Sequence, residues 1–98
     1  MAGGNKHGTA LVTASGVVGK SGSPITVYGL NIVSTGGGGS VVSLLNGTTS
    51  GGTTYISETG TTSKGVTFNY SEGFYFPAGL YVTVDANLST ALISYDQL

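Results

Sequence analysis

Few side chains in this 98-residue chain are suited to moving protons or holding a metal: the single His, His7, and the four carboxylates Glu58, Glu72, Asp85 and Asp96. A hydrolytic triad needs a His steered by a carboxylate beside a nucleophile, and His7 lies in the Gly-rich segment MAGGNKHG with no acidic neighbour. Two carboxylates facing each other would serve as general acid and base, but four acids scattered over nearly forty positions read as ordinary solvated charges. With no Cys there is no thiolate chemistry, no disulfide framework and no Cys-based zinc site. The Gly36 to Gly39 run lacks the following helix and the Lys-Ser/Thr of a phosphate-binding loop, so it reads as a hairpin turn. Three N-glycosylation sequons, beginning at Asn46, Asn69 and Asn87, carry little weight in a chain with 26 hydroxyl residues. The expectation is no catalytic residue, no cofactor and no metal: not an enzyme.

Charge points the same way. Asp, Glu, Lys and Arg make up 7% of the chain, with no Arg at all and a formal net charge of −1, against about 25% charged residues in a typical soluble domain. Ser, Thr and Gly supply 44 of the 98 residues, so the polar surface is built from hydroxyls and backbone. Three Lys and no basic cluster cannot form the positive stripe that phosphate backbones or anionic lipid headgroups require, so neither direct nucleic-acid binding nor membrane-surface binding is expected. No stretch approaches the ~18 apolar residues of a membrane span, and Met1 to Gly8 lacks the apolar core of a signal peptide; a soluble, unprocessed product is expected. Near-neutral surfaces tend to associate.

The elements that would position any surface site are strands. Val, Ile and Thr account for 28 residues, which disfavours helix. Apolar runs alternate with Gly, Asn, Ser and Thr clusters, predicting strands at Thr9 to Ala14, Gly16 to Lys20, Ile25 to Ser34, Ser40 to Leu45, Thr53 to Thr59, Gly65 to Tyr70, Leu80 to Ala86 and Thr90 to Tyr95. Residues 1–8 read as a flexible arm, and 9–98 as one domain: an eight-stranded antiparallel β-sandwich or jelly roll, with a small closed barrel as the competing solution.

Two predicted strands are apolar on both sides. Ile25, Val27 and Val33 oppose Tyr28, Leu30 and Ile32, while Val42 and Leu44 oppose Val41 and Leu45. A sandwich needs one apolar face per strand, so the second face asks for a cover, and another subunit is the simplest one. The aromatic-rich segment Gly73 to Tyr81 divides by parity: Phe74 and Phe76 suit the core, Tyr75 and Tyr81 a contact surface. Tyr28, Leu30, Ile32, Tyr75 and Tyr81 are therefore the expected protein-interface residues.

From Pro24 to Tyr95 the order of features resembles that of small β-sandwich virion proteins of tailed bacteriophages. The residues behind the resemblance are Val27 to Val33, the Gly36 to Gly39 turn, Val41 to Gly47, Gly51-Gly52-Thr53 and Phe76 to Val82. It implies a head decoration (cement) protein, made in the host cytoplasm and placed on the outer capsid surface. There it would contact itself, as a homotrimer, and the major capsid protein. A tail, fibre or adaptor component is the alternative within the virion. A carbohydrate-binding module stacking sugars on Tyr28, Tyr75 or Tyr81 is the alternative outside it.

Overall fold

The structure, a computed structural model, describes residues 6–35, 39–61 and 64–97, with backbone alone at residues 6 and 7. Its strands are β1 (Lys6–Val12), β2 (Gly16–Val18), β3 (Ile25–Ser34), β4 (Ser40–Asn46), β5 (Thr53–Gly60), β6 (Val66–Phe76), β7 (Leu80–Val84) and β8 (Leu88–Gln97). They form two antiparallel four-stranded sheets, ordered β1-β8-β3-β6 and β2-β7-β4-β5. This alternation of neighbours between two stacked sheets is the jelly roll. The sheets do not close on each other, which sets aside the barrel alternative.

The core lies between the inner faces. Ile25, Val27, Leu30, Ile32, Ala91 and Ile93 from the first sheet meet Val42, Leu44, Leu80 and Val82 from the second, all buried, with Phe76 among them. Burying side chains of this size stabilises the fold by about 1.5–3 kcal/mol each.

One irregularity corrects the reading of β3. Against β8, Val27 faces Tyr95 and Gly29 faces the next residue, Ser94, so Tyr28 is an extra residue, a β-bulge. The bulge reverses the inside–outside parity of everything after it. Ile25, Val27, Leu30 and Ile32 thus all point inward, while Tyr28 and Val33 lie outside the core cluster. Leu30 is 1% exposed and Ile32 0%, so both are core residues, and the expectation that they face a partner is overturned.

The N-terminal boundary also moves. Lys6 to Gly8, expected in an arm, are paired with Gln97 to Tyr95 as the start of β1; residues 1–5 of that expected arm lie outside the described residues. β6 runs on to Phe76, where Tyr70 was the expected limit. Val27 pairs with Phe74 and Gly29 with Asn69, so the intervening residues of β6 loop out. Gly73 makes this possible at φ 82°, with the Thr26 and Tyr28 side chains lying where its Cβ would be.

Side chains tie down the turns. Asn46 accepts the Ala78 N–H at 2.7 Å through Oδ1, holding the β6–β7 turn against the end of β4. Asn87 donates from Nδ2 to the Gly39 carbonyl at 3.1 Å, and its own carbonyl accepts the Thr35 N–H at 2.8 Å, so the β7–β8 turn grips both stems of the β3–β4 connection.

Candidate interaction surfaces

The residues first considered for chemistry are spread over the molecule. Asp85 is built into a turn: its carboxylate accepts the Val41 N–H at 2.8 Å, the Ser40 hydroxyl at 3.0 Å and the Asn87 N–H at 3.0 Å. The Val41 N–H above all holds its pKa below the ordinary carboxylate value. Glu58 accepts the Tyr70 hydroxyl at 2.9 Å. Burial first, and then this bond and the nearby carboxylate charge, push the Tyr70 phenol well above its usual range. Asp96 stands in register with His7 on β1 and Thr26 on β3, and Glu72 is exposed in the looped part of β6. Among the described residues, no three His, Cys, Asp or Glu side chains gather as a metal-holding group.

What the fold does assemble is two outward sheet faces. On the β1-β8-β3-β6 sheet, Leu11 stands opposite Leu92 across β1 and β8, and Leu92 stands opposite Asn31 on β3. Leu11 is 67% exposed and Leu92 42%, the former being the most exposed large apolar side chain among the described residues. Val33, opposite Thr90, sits diagonally beside Leu92 and extends the apolar stripe onto a third strand. Asn31 donates to the Thr67 hydroxyl at 2.7 Å on the same face. Further along, exposed Tyr75 is opposite Thr26, with half-buried Tyr28 nearby.

On the β2-β7-β4-β5 sheet the outward residues run in rows: Val17–Tyr81–Leu45–Thr54, then Thr83–Ser43–Ser57, then Val41–Thr59. None of these is charged, and the Ser43 and Ser57 hydroxyls bond each other at 3.1 Å. Val17 and Val41 are exposed, whereas Leu45 is buried outside the central core, flanked in register by Tyr81 and Thr54. The two-sided reading of β4 therefore matches the observed directions, with Val42 and Leu44 inward and Val41 and Leu45 outward.

A third apolar feature closes the flank where β5 and β6 form the sheet edges. Tyr55, Phe74 and Phe76 pack as a triangle with ring centroids 5.3–5.9 Å apart, within the range of favourable tilted aromatic pairs. Phe76 is wholly buried, while Phe74 and Tyr55 remain over a third exposed.

The expected interface residues are thus divided. Tyr28 and Tyr75 lie on one outer face, Tyr81 on the other, and Leu30 and Ile32 in the core; no single surface unites them. Leu11 and Leu92 were missed, although a signal was present: each stands between inward apolar residues, Ala10 and Val12 or Ala91 and Ile93, the same two-sided pattern that singled out β4.

No protein-family model, curated protein or solved structure matches this chain.

Proposed function

We propose that the chain is a structural virion subunit of the decoration or cement kind. It would bind copies of itself and an assembled shell of major capsid protein through its outer sheet faces. The observation that carries this reading is that both faces present apolar and hydroxyl side chains almost without charge: Leu11, Leu92 and Val33 on one, and Val17, Val41, Tyr81 and Thr83 on the other. Such faces suit lasting contacts, since desolvating hydroxyls and aliphatic groups costs far less than desolvating ions. The jelly roll supports the reading as an analogy of fold, because the architecture recurs in viral capsid domains. A subunit that binds only the assembled shell stabilises it by mass action.

The test is the protein content of purified particles. A 9.7 kDa band at a stoichiometry comparable to the major shell subunit is expected. A few copies per particle would move the chain to the tail, and absence from particles would reject a virion role. Contacts with so few charges should also survive molar NaCl, which screens ion pairs but leaves apolar burial intact. Release of the chain by salt alone would rule out the contact chemistry.

A further inference from the structure

We propose that the outer face of the β1-β8-β3-β6 sheet is where two copies of this chain pack on each other, face to face about a two-fold axis through the Leu11–Leu92 stripe. This rests on the assembly reading above and assigns its self-contact to one surface.

The stripe is continuous across three strands. Leu11 and Leu92 are direct cross-strand neighbours, and Val33 is diagonal to Leu92. Leu11, at 67% exposed, contributes little to its own fold, so its apolar surface is available for association. One polar pair beside the stripe is already satisfied: Asn31 donates to Thr67 within the same face at 2.7 Å. Covering that bond leaves its members paired, which avoids the penalty of burying lone donors.

Charge selects the occupant. The stripe and its flanking Asn31 and Thr67 are neutral, so an acidic, basic or phosphorylated partner would find no complement. An identical copy needs none. The outward carboxylate on this face, Asp96, is four residues along β8 from Leu92, roughly 13 Å at ~3.3 Å per residue. A two-fold axis running along the stripe, across the strands, sends the two copies' Asp96 side chains to opposite ends of the contact, away from each other. The whole-chain charge of −1 adds little repulsion. In such an isologous contact each apolar stripe meets its own copy.

The area is sufficient. Four strands ~4.8 Å apart and rows ~3.3 Å apart give a face of roughly 19 by 25 Å in projection. Side-chain relief brings it toward the ~800 Å² per partner of a standard interface, about a sixth of the 4918 Å² accessible surface. Two such faces would pack ~10 Å apart, as stacked sheets do.

Sedimentation equilibrium of the purified full chain tests the proposal, with circular dichroism to verify folding. The wild type should sediment as a dimer. Leu11→Lys and Leu92→Lys should each weaken self-association at least about thirtyfold, the effect of losing an interface hot spot. Val41→Lys, on the opposite sheet face, should leave the dimer intact. Because the chain has no Cys, Leu92→Cys adds an independent readout: a bismaleimide with a spacer of about 10 Å, the distance between stacked sheets, should link two copies covalently. A monomeric or trimeric wild type, a Val41→Lys variant that dissociates while the two Leu variants do not, or a Leu92→Cys variant that stays unlinked would each overturn the proposal. If particles carry the chain abundantly while the isolated chain is monomeric, this inference fails and the virion role stands. A dimer lost in the Leu variants, from a chain absent from particles, gives the reverse.

Discussion

The Gln97 side chain grips both polar groups of one distant residue: its Oε1 accepts the Lys20 N–H at 2.7 Å, and its Nε2 donates to the Lys20 carbonyl at 2.9 Å. Nε2 also donates to the Ser23 carbonyl at 3.3 Å. The end of the last strand thereby holds the turn between β2 and β3. The turn fits closely around it, since Gly19 takes φ 70° and a Cβ there would lie 2.5 Å from Gln97 Oε1.

Removing that grip should be costly. Gln97→Ala is expected to destabilise the fold by about 1–3 kcal/mol, the range for leaving largely buried polar groups unpaired. Gln97→Glu should cost more, because a carboxylate has no donor for the two carbonyls. Urea unfolding gives the comparison; a Gln97→Ala midpoint equal to wild type would mean that the turn closes without this side chain.

Asp85 should make stability depend on acid. Its folded pKa is depressed, chiefly by the Val41 N–H, so its contribution is complete above the ordinary value of about 3.9. That contribution is lost as pH falls through the lower folded value. Asp85→Asn should therefore lower the urea midpoint at neutral pH and flatten its decline below about pH 4. The group is solvent-accessible, so a modest effect is expected. A variant whose acid profile overlays that of the wild type would dissociate Asp85 from acid sensitivity.

Tyr70 acts at the alkaline end. Its folded pKa is raised, so the sign is reversed: the stabilisation from its protonated form is present below the unfolded value of about 10 and lost as pH rises through the folded one. In an ultraviolet titration the wild type should show a late phenol ionisation that Tyr70→Phe lacks. The same substitution removes the donor to Glu58 and should cost about 1 kcal/mol at neutral pH. A late phase persisting in Tyr70→Phe would assign it to another Tyr.

Element existence was readable because alternation and turn chemistry agree: β3 was expected at Ile25 to Ser34 and is found there. The extension of β6 was hidden because Ser71-Glu72-Gly73 looks like a turn, and only the pairing of Phe74 with Val27 makes it strand. Side-chain direction was harder to read than strand position. A bulge leaves no clear mark in composition, yet it changes the face of every residue beyond it. Apparent two-sidedness thus had different causes: in β4 it is real, and in β3 it is the arithmetic of one extra residue. The surface as a whole was less legible still, because exposure of Leu11 and Leu92 depends on which strands become neighbours.

That arithmetic yields the most severe test of the fold. Deleting Tyr28 removes the extra residue and lets Val27, Gly29 and Leu30 meet Tyr95, Ser94 and Ile93 one for one, so Leu30 and Ile32 stay inward by regular alternation. Deleting Asn31 instead, in the regular part of the strand, forces Leu30 or Ile32 outward or breaks the pairing with β6 and β8. The Asn31 deletion should abolish cooperative unfolding, as turning a fully buried aliphatic residue outward and slipping the strand costs several kcal/mol in a domain whose whole stability is about 5–15 kcal/mol, whereas the Tyr28 deletion should still melt cooperatively. Tyr28→Thr keeps the bulge and exchanges only an outward, half-buried ring, so it should cost about 1 kcal/mol or less. Thermal unfolding of these variants separates parity from side-chain chemistry: if the Tyr28 deletion is as damaging as the Asn31 deletion, Tyr28 is not the extra residue that sets which side chains β3 buries.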